Sequence, residues 1–187
     1  METATAVLRK EHEAIVKMLE VTEEVARRLA AGEHVAAETL ADLLEFFRLF
    51  ADKCHHGKEE DLLFPQLEKK GMPRAGGPIA VMLAEHEQGR ALIRQMAEDA
   101  DAYPRQPEKA GPAWAEAARA YASLLRAHIE KENHVLFVMA ERMLTPSEQA
   151  ELAEGFEKIE VEKMGAGTHE RLHAMMAKLI KDILPAR

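Results

Sequence analysis

Cysteine is almost absent: Cys54 stands alone in 187 residues. A lone thiol cannot close an internal disulfide, and it excludes iron–sulfur clusters and cysteine-rich zinc sites, which need several thiolates. The chain also lacks an apolar run of about 18 residues that could cross a bilayer. Its opening residues, Met1-Glu2-Thr3, lead into polar sequence rather than a secretory signal. Basic clusters are missing too. The 25 Lys and Arg are scattered among 33 Asp and Glu, for a formal charge of −8. No stripe fit to grip nucleic-acid phosphates is present. These absences predict a protein that works without membrane or nucleic acid, with the cytoplasm as its expected location.

What the chain does have is helix formers, nine His and ten Met. Ala, Leu, Glu, Lys, Met and Arg dominate, and alternating strand patterns are absent. Apolar periodicity predicts helices over about Thr5 to Ala31, Ala36 to Glu68 (bent near Gly57 and Pro65), Pro78 to Ala102 and Ala113 to Leu144. Their inward stripes would run Leu8, His12, Ile15, Leu19; then Leu44, Phe47, Ala51, His55, Glu59, Leu62. The third would be Ile79, Met82, His86, Ile93 with Met96 or Ala97, and the fourth Tyr121, Leu125, His128, Glu132, Val135, Met139. Short connections make an antiparallel four-helix bundle over residues 1–145 the expected packing. Thr145-Pro146-Ser147-Glu148 is a helix-start signal, and Gly165-Ala166-Gly167 is a break before a helix capped by Thr168. Residues 146–187 are therefore expected to be a two-helix extension packed on the bundle.

The stripes contain an internal repeat. Glu11-His12-Glu13 recurs as Glu85-His86-Glu87; His55 follows His12 by 43 residues and His128 follows His86 by 42. His55 has Glu59 at +4 and Leu62-Leu63-Phe64 beyond it; His128 has Glu132 at +4 and Val135-Leu136-Phe137 at the same offsets. Residues four apart share a helix face, so each His-x-x-x-Glu pair can aim at one place. Two such hairpins, packed with approximate two-fold symmetry, would gather four His and two Glu on the bundle axis. That is a ligand set for two ions, and imidazole with carboxylate suits iron, manganese or zinc better than calcium or magnesium.

These blocks resemble the hemerythrin-like HHE cation-binding family over roughly Leu8 to Leu144. The matching stretches are Arg9-Lys10-Glu11-His12-Glu13, His55 through Pro65, Gly77 through Glu87, and His128 through Phe137. The resemblance implies a hemerythrin-like all-α fold and metal ligands His12, His55, Glu59, His86, His128 and Glu132, the two glutamates bridging. The cofactor it implies is a pair of iron ions, oxo- or hydroxo-bridged, for which manganese or zinc could substitute. Oxygen carriers of the family place a second His where this chain has Arg90, and an Asp where it has Glu132. The four-His, two-Glu set is more similar to that of the iron-centre repair proteins, which answer nitrosative and oxidative stress.

The expected function is thus binding or reduction of a small oxidant (O2, NO or peroxide) at a non-haem di-iron centre. Iron donation to damaged iron centres and a redox or gas sensor are the alternatives. Expected partners are the small ligand, an electron-donor or iron-acceptor protein, and a second copy in a homodimer. One residue is about 100° of helix rotation, so the shadow pair His56 and Glu60 should turn away from the centre. His134 is expected at the surface and Cys54 in packing. His169 and His173, four apart near Glu160 and Glu162, could form a metal pair if the last helix folds back, or be incidental surface histidines.

Overall fold

The computed structural model describes residues 2–165 and 167–185; Met1, Ala166, Ala186 and Arg187 lie outside the described residues. Six helices, and no strand, form among the described residues. Helix α1 spans Ala4–Ala30 and starts on Thr3, whose hydroxyl accepts from the Ala6 N–H. Helix α2 is continuous but mixed: α-helical over Ala37–Phe46, π-helical over Phe47–His56 and Glu59–Leu63, and α-helical again over Phe64–Lys69. Helix α3 spans Pro78–Ala102. Helix α4 is α-helical over Pro107–Lys131, π-helical over Glu132–Leu136, and α-helical over Phe137–Met143. Helices α5 (Pro146–Met164) and α6 (Thr168–Ile183) complete the chain.

Two predicted starts are corrected. Helix α4 begins at Pro107 rather than Ala113, because proline suits the first turn, and Pro112 is carried inside the helix. Helix α6 starts after Gly167 in the left-handed conformation, and Thr168 makes no side-chain cap. The α5 start is as expected: Thr145 and Glu148 form a reciprocal capping box.

Helices α1 to α4 form the antiparallel bundle, with α4 packed on α1 and α3, and α2 on their other sides. Helices α5 and α6 lie across α1 and α2. Where α5 crosses α2 the surfaces are close: a Cβ on Gly155 would sit 2.8 Å from Leu62. Leu152 and Phe156 of α5 join one apolar cluster with Leu8, Phe64, Met82 and Phe137. Leu172, Leu179 and Ile183 of α6 join the other, with Ile15, Phe47, Trp114 and Leu125. Between these clusters lies a buried polar layer of His12, His55, His56, Glu59, His86, His128 and Glu132.

The π-helical turns set which residues enter that layer. An i→i+5 turn spends an extra residue, which moves the downstream stripe by one place. Leu136, Phe137 and Ala140 are therefore buried on α4, whereas Val135, expected inside, is 49% exposed. The same shift in α2 buries Leu63 and leaves its expected neighbour Leu62 only partly covered.

Candidate metal centre

Six side chains expected at the centre do converge. His12, His55, Glu59 and Glu132 bring one ligand atom each within 4.8 Å of one another, and Glu59, His86 and His128 meet within the same limit. His56 belongs to the second group. Its expected outward direction is therefore wrong. The Phe47–His56 segment is π-helical and departs from uniform α-helical rotation, and both His55 and His56 are buried on it.

The imidazoles are held by their outer nitrogens. His55 Nδ1 donates to Glu11 at 2.8 Å, and His128 Nδ1 donates to Glu85 at 2.9 Å. His86 Nδ1 donates to Glu60 at 2.7 Å, and His12 Nδ1 meets the Asn133 side-chain oxygen at 2.9 Å. These contacts cross between hairpins in matched fashion: Glu60 and Asn133 each follow a centre glutamate and each steady a histidine of the other hairpin. With Nδ1 donating, a neutral ring presents a lone pair at Nε2, the tautomer that a metal ligand needs. The inner nitrogens then face each other, 3.0 Å apart for His12 and His55 and 3.1 Å for His86 and His128. Such facing lone pairs repel unless a proton or a cation lies among them.

The carboxylates make the same demand. Both oxygens of Glu59 and both of Glu132 are buried without a hydrogen-bond partner. Glu132 lies 3.1 Å from the His12 and His128 ring nitrogens, but without hydrogen-bond alignment. Burial, and then the charge of Glu132, drive Glu59 well above the usual carboxylate range. Burial opposes ionisation of Glu132 as well, but His128 and His12 hold it well below that range. Two facing carboxylates in an apolar bundle call for positive charge between them. The donor set therefore fits metal cations.

A chain of charges supports the first hairpin. Lys58 pairs with Glu11 and lies 3.3 Å from Glu160 of α5. Burial opposes the charge of Lys58, but Glu11 more than restores it. The acidic group Glu11, Cys54 and Glu160 is accounted for by this ammonium, which supplies the local cation. Cys54 is buried packing, as expected, and burial pushes its thiol up to about 12. In the second hairpin Lys131 plays the Lys58 part, pairing with Glu85. The signal for these anchors lay in the repeat itself: Glu precedes His12 and His86, and Lys stands three residues after His55 and His128.

Arg90 donates to Asp52 and Glu60, each at 2.8 Å, and to Glu87 at 2.6 Å. His134 is at the surface beside Glu130, as expected. His169 and His173 bring their Nε2 atoms within 3.2 Å, but at the surface and outside the central groups. Glu160 is 3.5 Å from His169. A cavity of about 200 Å³ opens beside the second hairpin, lined by Phe47, Ile93, Tyr121, Asp52, Arg90 and the three histidines His56, His86 and His128.

This pattern of ligands and anchors, repeated across two hairpins, coincides with a known domain. The Hemerythrin HHE cation binding domain matches residues 3–140. The chain belongs to this family. Family membership makes it a metal-binding protein of the hemerythrin-like type, and the clustered His and Glu fit that role. Among curated relatives, uncharacterized proteins of Mycobacterium tuberculosis and Mycobacterium bovis are each 25% identical over 181 residues, covering 97% of this chain and 70% of theirs. No solved structure matches the chain at a significant level. No helix of the described residues is long and apolar enough to cross a membrane.

Proposed function

We propose that this hemerythrin-like protein holds two iron ions and binds or reduces a small oxidant: O2, NO or peroxide. The observation that carries the reading is the facing of ring nitrogens 3.0 and 3.1 Å apart beside four unpartnered carboxylate oxygens. On this reading His12 and His55 would hold one ion and His86 and His128 the other, with Glu59 and Glu132 supplying carboxylate oxygens between them. Bound iron would supply one electron per ion to an oxidant that reaches the pair.

The protein's own residues do the rest. Glu11, Asn133, Glu60 and Glu85 fix the ring orientations, so little reorganisation is needed as charge changes. The apolar clusters on either side exclude bulk water and limit escape of reactive products. The cavity of about 200 Å³ admits a diatomic or peroxide but is small against sites for drug-sized ligands. These oxidants are the agents of oxidative and nitrosative stress, the setting we assign to the protein. The buried, weakly acidic Cys54 suits a reducing cytoplasm.

Iron content of protein purified without added metal, followed by anaerobic reduction and separate titrations with NO, peroxide and O2, tests the reading. Two irons per chain are expected, with new near-ultraviolet absorption on exposure to at least one oxidant. His128→Ala should lower the iron content. Silence with all three oxidants would sink the oxidant role, and protein that retains no iron would sink the centre itself.

A further inference from the structure

His169 and His173 take no part in the central layer, yet they are disposed as its histidine pairs are. Their ring centroids are 4.3 Å apart with planes at 67°, and their Nε2 atoms are 3.2 Å apart. The corresponding values are 4.6 Å, 55° and 3.0 Å for His12 and His55. For His86 and His128 they are 4.8 Å, 65° and 3.1 Å. Two imidazole nitrogens bound to one ion at about 2.0–2.1 Å each stand roughly 3.0–3.4 Å apart. The outer pair thus repeats the bite of the inner pairs, and it does so beyond residues 3–140, which the family match covers.

The fold assembles this surface group from two helices. A spacing of four puts both rings on one face of α6, and the buried Leu172 pins that turn to the bundle. Phe50 of α2 stands behind both rings, with centroids 6.5 and 6.4 Å away. Helix α6 packs against α5, where Glu160 brings Oε1 to 3.5 Å from His169 Nε2. The other oxygen of Glu160 lies 3.3 Å from the buried Lys58 ammonium, which steadies the carboxylate. The His169 and Glu160 side chains are 40% and 30% exposed. At such exposure water can satisfy each ring nitrogen, so solvation alone does not bring the two together.

We infer that His169 and His173 form a second metal site, chelating one divalent ion of the zinc class through both Nε2 atoms. Glu160 is its carboxylate ligand, and water fills the remaining position. Two imidazoles and a carboxylate, without thiolate, suit Zn(II) in a four-coordinate site with an open place. The site is separate from the central layer and holds whichever metal that layer binds. Through Glu160 it touches Lys58, whose partner Glu11 orients His55.

Titration of the full chain, as purified, with Zn(II) alone tests the site, read by calorimetry and by metal content after gel filtration. The wild type should show one Zn(II) step that His173→Ala loses or binds roughly tenfold or more weakly. Glu160→Gln should weaken the same step by about tenfold. His173 is exposed, so circular dichroism and iron content, which the central layer sets, should be the same in the wild type and His173→Ala. Equal zinc uptake and affinity in those two chains would overturn the inference and leave the two-iron reading standing. Unchanged affinity in Glu160→Gln would overturn the three-ligand site. Iron-free protein that still shows the His173-dependent step would support the surface site and sink the iron reading alone.

Discussion

Lys58 and Lys131 hold equivalent places in the repeat, three residues after His55 and His128, and each reaches the glutamate that anchors its histidine. Their surroundings differ. The Lys58 side chain is 1% exposed beneath α5, where Glu160 adds a second carboxylate; that of Lys131 is 41% exposed. The adjoining positions differ as well. His56 and the cavity lie on the side of His86 and His128, while Ile129 extends the apolar packing. Symmetric clusters of His and Glu can therefore have asymmetric surroundings: one hairpin is covered by the C-terminal helices, and the other borders the cavity of about 200 Å³. The lesson is that the repeat specifies the clustered residues, and departures from it specify what surrounds them.

The largest break in this comparison comes at residues that both sides use. Glu59 belongs to both groups of candidate ligands, so on the two-ion reading proposed above Glu59→Ala should lose both ions together, whereas His12→Ala should weaken chiefly one. Metal content after dialysis against a mild chelator separates the outcomes; if Glu59→Ala kept one ion tightly, the glutamate would not be shared. Next comes the lysine pair. Removing one partner of a buried ion pair costs about 3–5 kcal/mol, so Lys58→Ala should lower unfolding stability by that order. Lys131→Ala, at a half-exposed pair, should cost about 0–1 kcal/mol. Urea unfolding of both variants checks the contrast, and equal losses would erase the distinction between sealed and open hairpins.

Much of this architecture is legible in the sequence. The repeated Glu-His-Glu and His-x-x-x-Glu stretches, at near-equal separations, carried the six converging residues, because four-residue spacing on a helix face is robust to small bends. What escaped was anything that depends on the exact helical turn. Uniform rotation put Val135 inside and His56 outside, and the π-helical segments reverse both. Those segments have no clear mark in residue type: Phe47–His56 contains neither proline nor glycine. The start at Pro107 is hidden in the sequence because Gly111-Pro112 reads as loop punctuation. The anchors Glu11, Glu85, Lys58 and Lys131 were visible in the repeat but had no assigned partner until packing supplied one.

The smallest effect expected concerns the open side. Asp52 and Glu60 share Arg90, with side chains about a quarter to a third exposed. Burial would raise both carboxyls, but His56 and Arg90 at Asp52, and His86 and Arg90 at Glu60, bring each down to about 2. A carboxyl depressed on folding contributes stability that is present above its unfolded value near 4 and lost as pH falls through about 2. Arg90→Gln removes the shared cation and so should narrow that window, raising both folded values toward 4. At pH 7 the loss should be about 1 kcal/mol, discounted for solvent screening. Between pH 5 and pH 2 the metal-free variant should therefore lose less stability than the metal-free wild type, and the two unfolding curves should approach each other. Curves that stay parallel through this range would mean that Arg90 shapes the cavity mouth without stabilising the carboxylates, and the charge contrast between the two hairpins would then rest on Lys58 alone.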